Sequence, residues 1–294
     1  MDLLEYLTKS EGVLLLDGGM GTQLDARGAE MGGEANLTDP EKVLAVHQSY
    51  VEEGAMLLIT NTLTMNRVNI ETHDVGVDVR EVNLVGARLA RQAAVSGQYV
   101  LGDIGSTGQI LAPLGTVTEE EAFVSYKEQA ELLIEGGVDG FIIETMFDLR
   151  ETLVAVRACK AAADLPVIAS MTFETIKNGG RTIMGNTVAE CAVALTEAGA
   201  DVIGANCGSL TPMELSEVVK WITEATHLPV AVQPNAGKPH LEGLKAVFDM
   251  SPEEFAEGIA MCIKNGAKIV GGCCGTTPAH LHAIKPLTGK VEPS

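Results

Sequence analysis

Two adjacent cysteines, Cys273 and Cys274, stand in the segment IVGGCCGTTPAHLH at residues 269–282. The chain has six cysteines in 294 residues, too few for a disulfide scaffold, so metal binding or thiol reactivity is the question they raise. Neighbouring residues of a regular strand face opposite sides, and both thiols can address one atom only if the backbone bends there. Three glycines that permit such a bend flank the pair, at positions 271, 272 and 275.

A third thiol, Cys207, completes a possible metal site if the fold brings it to the same place. Three thiolates suit Zn²⁺ and leave one coordination position open, as in catalytic zinc sites. With one zinc ion they carry one net negative charge, so the centre acidifies water poorly but can hold a further thiol as a nucleophilic thiolate. The trio therefore predicts thiol alkylation, whereas hydrolysis would favour neutral histidine ligands.

Two other interpretations of the trio stay open at this point. A disulfide between Cys273 and Cys274 is disfavoured because adjacent Cα atoms lie about 3.8 Å apart, closer than the roughly 4.4 Å of relaxed disulfides. Plain burial in the core is common for cysteine. That is our expectation for Cys159, Cys191 and Cys262, which fall within predicted helices.

Eight apolar runs without polar alternation predict strands that are buried on both faces, as in a parallel sheet. They begin at Val13, Met56, Tyr99, Val138, Pro166, Ala200, Pro229 and Ala267. Helical stretches separate them, and four of these open with the spacing of a capping box. The four pairs are Thr118 with Glu121, Thr187 with Glu190, Thr211 with Glu214 and Ser251 with Glu254.

This alternation predicts an α/β fold, a (β/α)8 TIM barrel, and one domain over residues 1–294 with a short extended tail from about residue 286. Active sites of such barrels lie where the strands end. The sixth strand ends at Cys207 and the eighth at Cys273 and Cys274, so the barrel would bring the three thiols to one rim. The other ends include Asp17, Glu144 and Asn235.

The composition excludes several classes of partner. With 40 acidic and 20 basic side chains the formal charge is −20, which disfavours nucleic acid and anionic lipid surfaces. The N-terminus lacks the pattern of a secretory signal and no apolar run is long enough to span a membrane, so we expect a cytoplasmic protein. None of the eight strand ends has a lysine, which argues against a Schiff-base aldolase.

Five motifs that span the chain resemble the homocysteine S-methyltransferase family, and most of all the homocysteine-binding barrel of cobalamin-dependent methionine synthase. They are LLDGGMGTQL at 15–24, GDIGSTG at 102–108, GANCG at 204–208, QPNAGKP at 233–239 and GGCCGTTPAH at 271–280. The resemblance implies methylation of homocysteine to methionine, with one zinc ion held by Cys207, Cys273 and Cys274.

The resemblance also implies a site for the amino acid itself. Asp17 and Glu144 would hold the ammonium group, and backbone amides near Gly18 and Gly19 would receive the carboxylate. Asn235 could occupy the open zinc position before substrate arrives, with water as the equal alternative and a simple strand-end hydrogen bond as a third. We expect His280 and His282 on the surface.

The methyl donor is not encoded in these motifs. We expect a separate methylated corrinoid protein, so that methylcobalamin would come from a partner. The alternatives are a small donor used directly, namely S-methylmethionine, betaine or methylfolate, or a non-catalytic zinc or redox module. The segment at 236–249 is longer than an ordinary loop of this fold, and we expect it to cover the site or to face the donor.

Overall fold

The computed structural model describes residues 2–243 and 245–289. Eight parallel strands form one sheet, which confirms the predicted (β/α)8 barrel. These strands are β1 (Leu14–Leu15), β2 (Leu57–Ile59), β3 (Tyr99–Ile104), β4 (Gly140–Met146), β5 (Val167–Met171), β6 (Val202–Asn206), β7 (Val230–Gln233) and β10 (Ala267–Val270). A parallel bridge between Leu16 and Leu57 joins β1 to β2 and closes the ring.

Helices surround the sheet and connect its strands. They are α1 (Leu3–Lys9), α2 (Met20–Asp25), α3 (Ala35–Thr38), α4 (Pro40–Glu52), α5 (Arg67–Thr72), α6 (Val79–Ala93), α7 (Glu119–Gly136), α8 (Leu149–Ala162), α9 (Val188–Glu197), α10 (Pro212–Ala225), α11 (Pro252–Lys264) and α12 (Pro278–Ile284). All four predicted capping boxes are present, at the starts of α7, α9, α10 and α11. Among the described helices, none has the length and apolar content that crossing a bilayer requires.

Two parts of the chain depart from simple alternation. The long segment after β7 forms an antiparallel hairpin of β8 (His240–Glu242) and β9 (Lys245–Val247). The predicted extended tail instead begins with a 3₁₀ turn at Lys285–Leu287, and the amide of Gly289 then donates to the carbonyl of Val13. The rest of that predicted tail, residues 290–294, lies outside the described residues.

The barrel interior is filled by side chains from all eight strands, including Leu101, Ile142, Ile168 and Ala231. Helix α1 adds Leu3 and Leu7 to the same cluster. Because side chains two positions apart on a strand share a face, the next inward layer after Leu101, Ile142 and Ala231 consists of Asp103, Glu144 and Gln233. On these three strands the inward side chains thus change from apolar to polar, and the polar residues Asp103, Glu144 and Gln233 line the site.

One buried group of the fold is unsupported by hydrogen bonds. His47 on α4 is fully buried, and neither ring nitrogen has a hydrogen-bond partner among residues 2–243 and 245–289. Burial lowers its pKa from 6.5 to about 4, because the charged ring has no compensating contact. The folded protein therefore holds this histidine neutral at pH values where the unfolded chain protonates it.

We expect His47 to make the protein acid-sensitive. As the pH falls from about 6.5 to about 4, the unfolded state takes up the proton first, so the free energy of unfolding should fall by up to about 3 kcal/mol. The measurement is urea unfolding across this range for the wild type and for His47→Leu, with exposed His227→Leu as control. If the difference between the wild type and His47→Leu did not change with pH, His47 would not be held neutral by burial.

Candidate metal and amino-acid site

The sulfurs of Cys207, Cys273 and Cys274 lie within 4.8 Å of one another. This confirms that the barrel brings the ends of β6 and β10 together. Tetrahedral zinc with bonds of about 2.3 Å separates its sulfur ligands by roughly 3.8 Å, so the three thiols can surround one ion with small adjustments. The three helical cysteines, Cys159, Cys191 and Cys262, are buried elsewhere, as expected.

Bends in the backbone aim these sulfurs. Cys207 has φ +57°, in the left-handed region that non-glycine residues rarely adopt, and it directly follows β6. Gly275, with φ +78°, turns the chain after the cysteine pair. The amide of Cys273 donates to the carbonyl of Pro234, and the carbonyl of Cys274 accepts from Ala236, so the pair is tied to the end of β7.

The two glycines after β1 leave room for this cysteine loop. A Cβ on Gly19 would lie 2.4 Å from the carbonyl oxygen of Cys273, and one on Gly18 would lie 2.9 Å from the Tyr50 ring. The amide of Gly19 is already bonded to the hydroxyl of Thr276. Close packing thus explains these glycines, and the amide of Gly19 is not free to receive a carboxylate.

A pocket of about 260 Å³ opens beside the thiols. Its lining includes the three cysteines, Gly18, Gly19 and Glu144, together with residues to which we assigned no role from the sequence. These additional residues include Asp103, Thr145 and Gln233. Helix α2 begins at Met20 on the pocket wall and has no side-chain cap, so the first amides of that helix lie beside the cavity.

Glu144 and Asp103 bring two buried carboxyl groups to this pocket. Glu144 accepts a hydrogen bond from the Gln233 amide at 3.0 Å. Burial, followed by the charge of Cys207, raises the pKa of Glu144 to about 7. Burial, with Glu144 and Asp17 as further causes, raises the pKa of Asp103 well above its usual value. The pocket therefore favours a bound cation.

Asp17 and Asn235 are placed differently from Glu144, since neither belongs to the described lining of the pocket. Asp17 lies two positions after Leu15, so by strand alternation it faces the same side, away from the barrel interior. One of its carboxylate oxygens accepts a hydrogen bond from the amide of Ile59 at 2.8 Å. The Asn235 amide donates to the carbonyl of Gly208 at 2.8 Å, as a strand-end hydrogen bond. Direct contact of either residue with substrate or metal stays a prediction.

Several acceptor atoms in this region have no hydrogen-bond partner within the described part of the chain. They are one carboxylate oxygen each of Asp17 and Asp103 and the amide oxygens of Gln233 and Asn235, all buried. An unpaired buried acceptor costs free energy, and a ligand that donates several N–H groups would recover it. An ammonium group has three such donors and a positive charge.

The thiols themselves share protons. Hydrogen bonds from Cys273 and Cys274 lower the pKa of Cys207, while the bond to Cys207 raises the pKa of Cys273 and Cys274. One sulfur is thus readily anionic and the others serve as its donors. A divalent cation would replace these shared protons with a stronger positive charge.

One prediction about the segments beside the site, the surface position of His280, is wrong. His280, expected on the surface, is buried: its Nδ1 accepts from the amide of Thr277 and its Nε2 bonds to the carbonyl of Met250 at 3.0 Å. His282 is exposed, as expected. The segment that carries the hairpin packs against the cysteine loop, since a Cβ on Gly275 would lie 2.2 Å from the Cβ of Phe248.

These features define a class of protein: a (β/α)8 barrel with a three-thiol cluster that could hold a metal ion at its carboxyl rim and an acidic pocket beside it. The family model for homocysteine S-methyltransferase matches residues 14–287. The chain belongs to the homocysteine S-methyltransferase family.

Two curated relatives and one solved structure extend this result. The chain is 34% identical over 312 residues to methionine synthase of Mycobacterium tuberculosis, which covers 99% of the chain and 26% of that protein. Methionine synthase of Mycobacterium leprae is also 34% identical to the chain, and the match covers 99% of the chain and 25% of that protein. The chain thus spans about a quarter of the length of these relatives. The metallated form of the homocysteine methyltransferase MmuM from Escherichia coli has the same fold, with a TM-score of 0.77, 23% identity, and 95% and 97% of the two chains covered.

Asp103→Asn tests the acidic pocket. The amide has nearly the shape of the carboxylate but no charge, so it removes the charge repulsion of an ionised Asp103 from Glu144 and Asp17. We expect the ligand-free protein to be as stable as the wild type or up to about 1 kcal/mol more stable, while its affinity for homocysteine falls about tenfold.

Urea unfolding and isothermal titration calorimetry measure these two quantities. Asp164→Asn, an exposed carboxylate change, is the matched control and should alter neither. A variant at Asp103 that lost stability but kept its homocysteine affinity would show that this carboxyl group supports the fold and not a ligand.

Proposed function

We propose that the protein is a zinc-dependent thiol methyltransferase that methylates homocysteine to methionine. The observation that carries this proposal is the convergence of three sulfurs within 4.8 Å at the wall of an acidic pocket. Family membership supports homocysteine as the methyl acceptor, and the printed names of the two mycobacterial relatives support methionine as the product.

Cys207, Cys273 and Cys274 would hold the zinc ion. When bound, zinc would supply a binding position for the incoming thiol and lower the pKa of that thiol well below about 8.5, so that the sulfur is a nucleophile at neutral pH. The chain holds the three thiols in place through the bends at Cys207 and Gly275 and the backbone bonds to the end of β7. A reducing compartment such as the cytoplasm would keep them as thiols.

The amino-acid part of homocysteine would occupy the adjacent pocket. Its ammonium group would donate to the Glu144 carboxylate and to the unpaired oxygens of Asp103 and Gln233, and Asp17 would act on it through charge. Its carboxylate would lie near Gly18 and the first amides of α2, since the Gly19 amide is engaged. Asn235, beside Cys207, would serve as a donor that stabilises that thiolate.

We further propose that the methyl group comes from a separate methylated corrinoid protein. In support, the chain is 34% identical to the part that it matches in each of two methionine synthases. The donor would approach past Thr64 and Met31, which line the same pocket as the three thiols.

Cys207→Ser tests the metal centre. Loss of one of three ligands should lower zinc affinity by more than about a hundredfold and abolish methionine formation at the same time. Cys191→Ala, which removes a buried thiol in α9, is the control and should keep one zinc per chain and full activity. A zinc-free Cys207→Ser protein with the wild-type rate of methyl transfer would refute zinc dependence.

A donor panel tests the source of the methyl group. Zinc-loaded protein is assayed for methionine with a methylated corrinoid protein, S-methylmethionine, betaine and methylfolate. We expect turnover with the corrinoid donor only. Turnover with one of the small donors and none with the corrinoid would overturn the proposed donor but leave the acceptor chemistry intact.

A further inference from the structure

The end of β4 is irregular where it meets the pocket. Its pairing with β5 shifts between Ile143 and Met146, which places a bulge at Glu144 and Thr145. Thr145 has φ +59°, a conformation that is a clear outlier for a β-branched residue. Such a conformation persists only when its surroundings determine it, and bulges often re-aim a side chain at a site. Here the side chain that precedes Thr145 is Glu144.

Asn206, the last residue of β6, holds this bulge. Its side chain is fully buried, and its Oδ1 accepts from the amide of Thr145 at 2.9 Å. Its Nδ2 donates to the Thr145 hydroxyl at 2.9 Å. These two bonds secure both the backbone and the side chain of the one strained residue in the bulge.

The same amide also reaches the thiol cluster. Asn206 Nδ2 lies 4.0 Å from the sulfur of Cys273, with geometry for an N–H···S hydrogen bond. Its backbone continues directly into Cys207. One buried side chain therefore contacts a metal-ligand sulfur on one side and the carboxylate-bearing bulge on the other.

We propose that Asn206 is a positioning residue that couples the thiol cluster to the amino-acid pocket. This inference rests on the proposed function. A bound metal ion would fix the sulfur of Cys273 beside the Asn206 amide, and with it the amide orientation that holds the backbone and hydroxyl of Thr145. The clamped bulge keeps Glu144 aimed into the pocket. Because such coupling is reciprocal, homocysteine in the pocket should also favour the loaded thiol cluster.

Only asparagine meets these demands at position 206. Alanine removes both hydrogen bonds to Thr145 and the contact with the Cys273 sulfur together. Aspartate keeps the acceptor for the Thr145 amide, but it cannot donate to the Thr145 hydroxyl or to the sulfur. The two substitutions therefore separate the acceptor from the donors.

The test uses the full chain loaded with Co²⁺, whose sulfur-to-metal charge-transfer band reports on the thiolates, and isothermal titration of homocysteine. Asn206→Ala should move the band to longer wavelength, because a thiolate that loses a donor holds its electrons less tightly. It should also raise the homocysteine Kd about tenfold. Asn206→Asp should move the band as well.

A second change separates positioning from general damage. Glycine adopts positive φ at little cost, so Thr145→Gly in the Asn206→Ala background should recover part of the homocysteine affinity while the band stays shifted. The matched control is Asn83→Ala. Asn83 is a buried amide on α6 that donates to the carbonyls of Met65 and Val79, and its loss should lower thermal stability and leave the band and the Kd unchanged.

Three results would overturn the proposal: an unchanged band in both Asn206 variants, a homocysteine Kd within twofold of the wild type in Asn206→Ala, or no recovery with Thr145→Gly. A wild-type protein that binds Co²⁺ but no homocysteine would instead refute the proposed function. In that case the band shift would still test the contact between Asn206 and Cys273.

Discussion

The convergence of three sulfurs from two distant strand ends is the constraint on which the site depends. Cys207 and Cys273 are brought together only because β6, β7 and β10 are neighbours in a closed sheet. The left-handed backbone at Cys207 and the turn at Gly275 then aim the thiols inward. The closed barrel brings the three sulfurs close together, and the local backbone conformation sets the direction in which the thiols point.

Concentrated negative charge follows from this arrangement and determines what the pocket can bind. Burial raises the pKa of Asp17, Asp103 and Glu144, and the lowered pKa of Cys207 favours a thiolate charge beside them. Such a cluster is stable only when protons or cations compensate it. A metal ion at the sulfurs and an ammonium group at the carboxylates would provide both charges, which is the distribution that homocysteine on zinc requires.

Much of this structure was predictable from the sequence. The apolar runs predicted the eight strands, and the capping boxes predicted four helix starts, because both depend on local sequence pattern. The strand-end cysteines predicted the sulfur cluster, because the strand ends of a closed parallel barrel meet at one rim. Asp103 and Gln233 were given no role from the sequence, although they lie two positions after the inward-facing Leu101 and Ala231. The burial of His280 and the link from Asn206 to Thr145 depend on contacts between segments far apart in the chain, which no local pattern encodes.

X-ray absorption at the zinc edge, on zinc-loaded protein with and without homocysteine, tests the central claim most directly. The account predicts three sulfur ligands and one lighter ligand in the free protein, and four sulfur ligands after homocysteine is added. A coordination shell that does not change on saturation with homocysteine would contradict it, because the thiol cluster would then store metal without presenting it to the substrate.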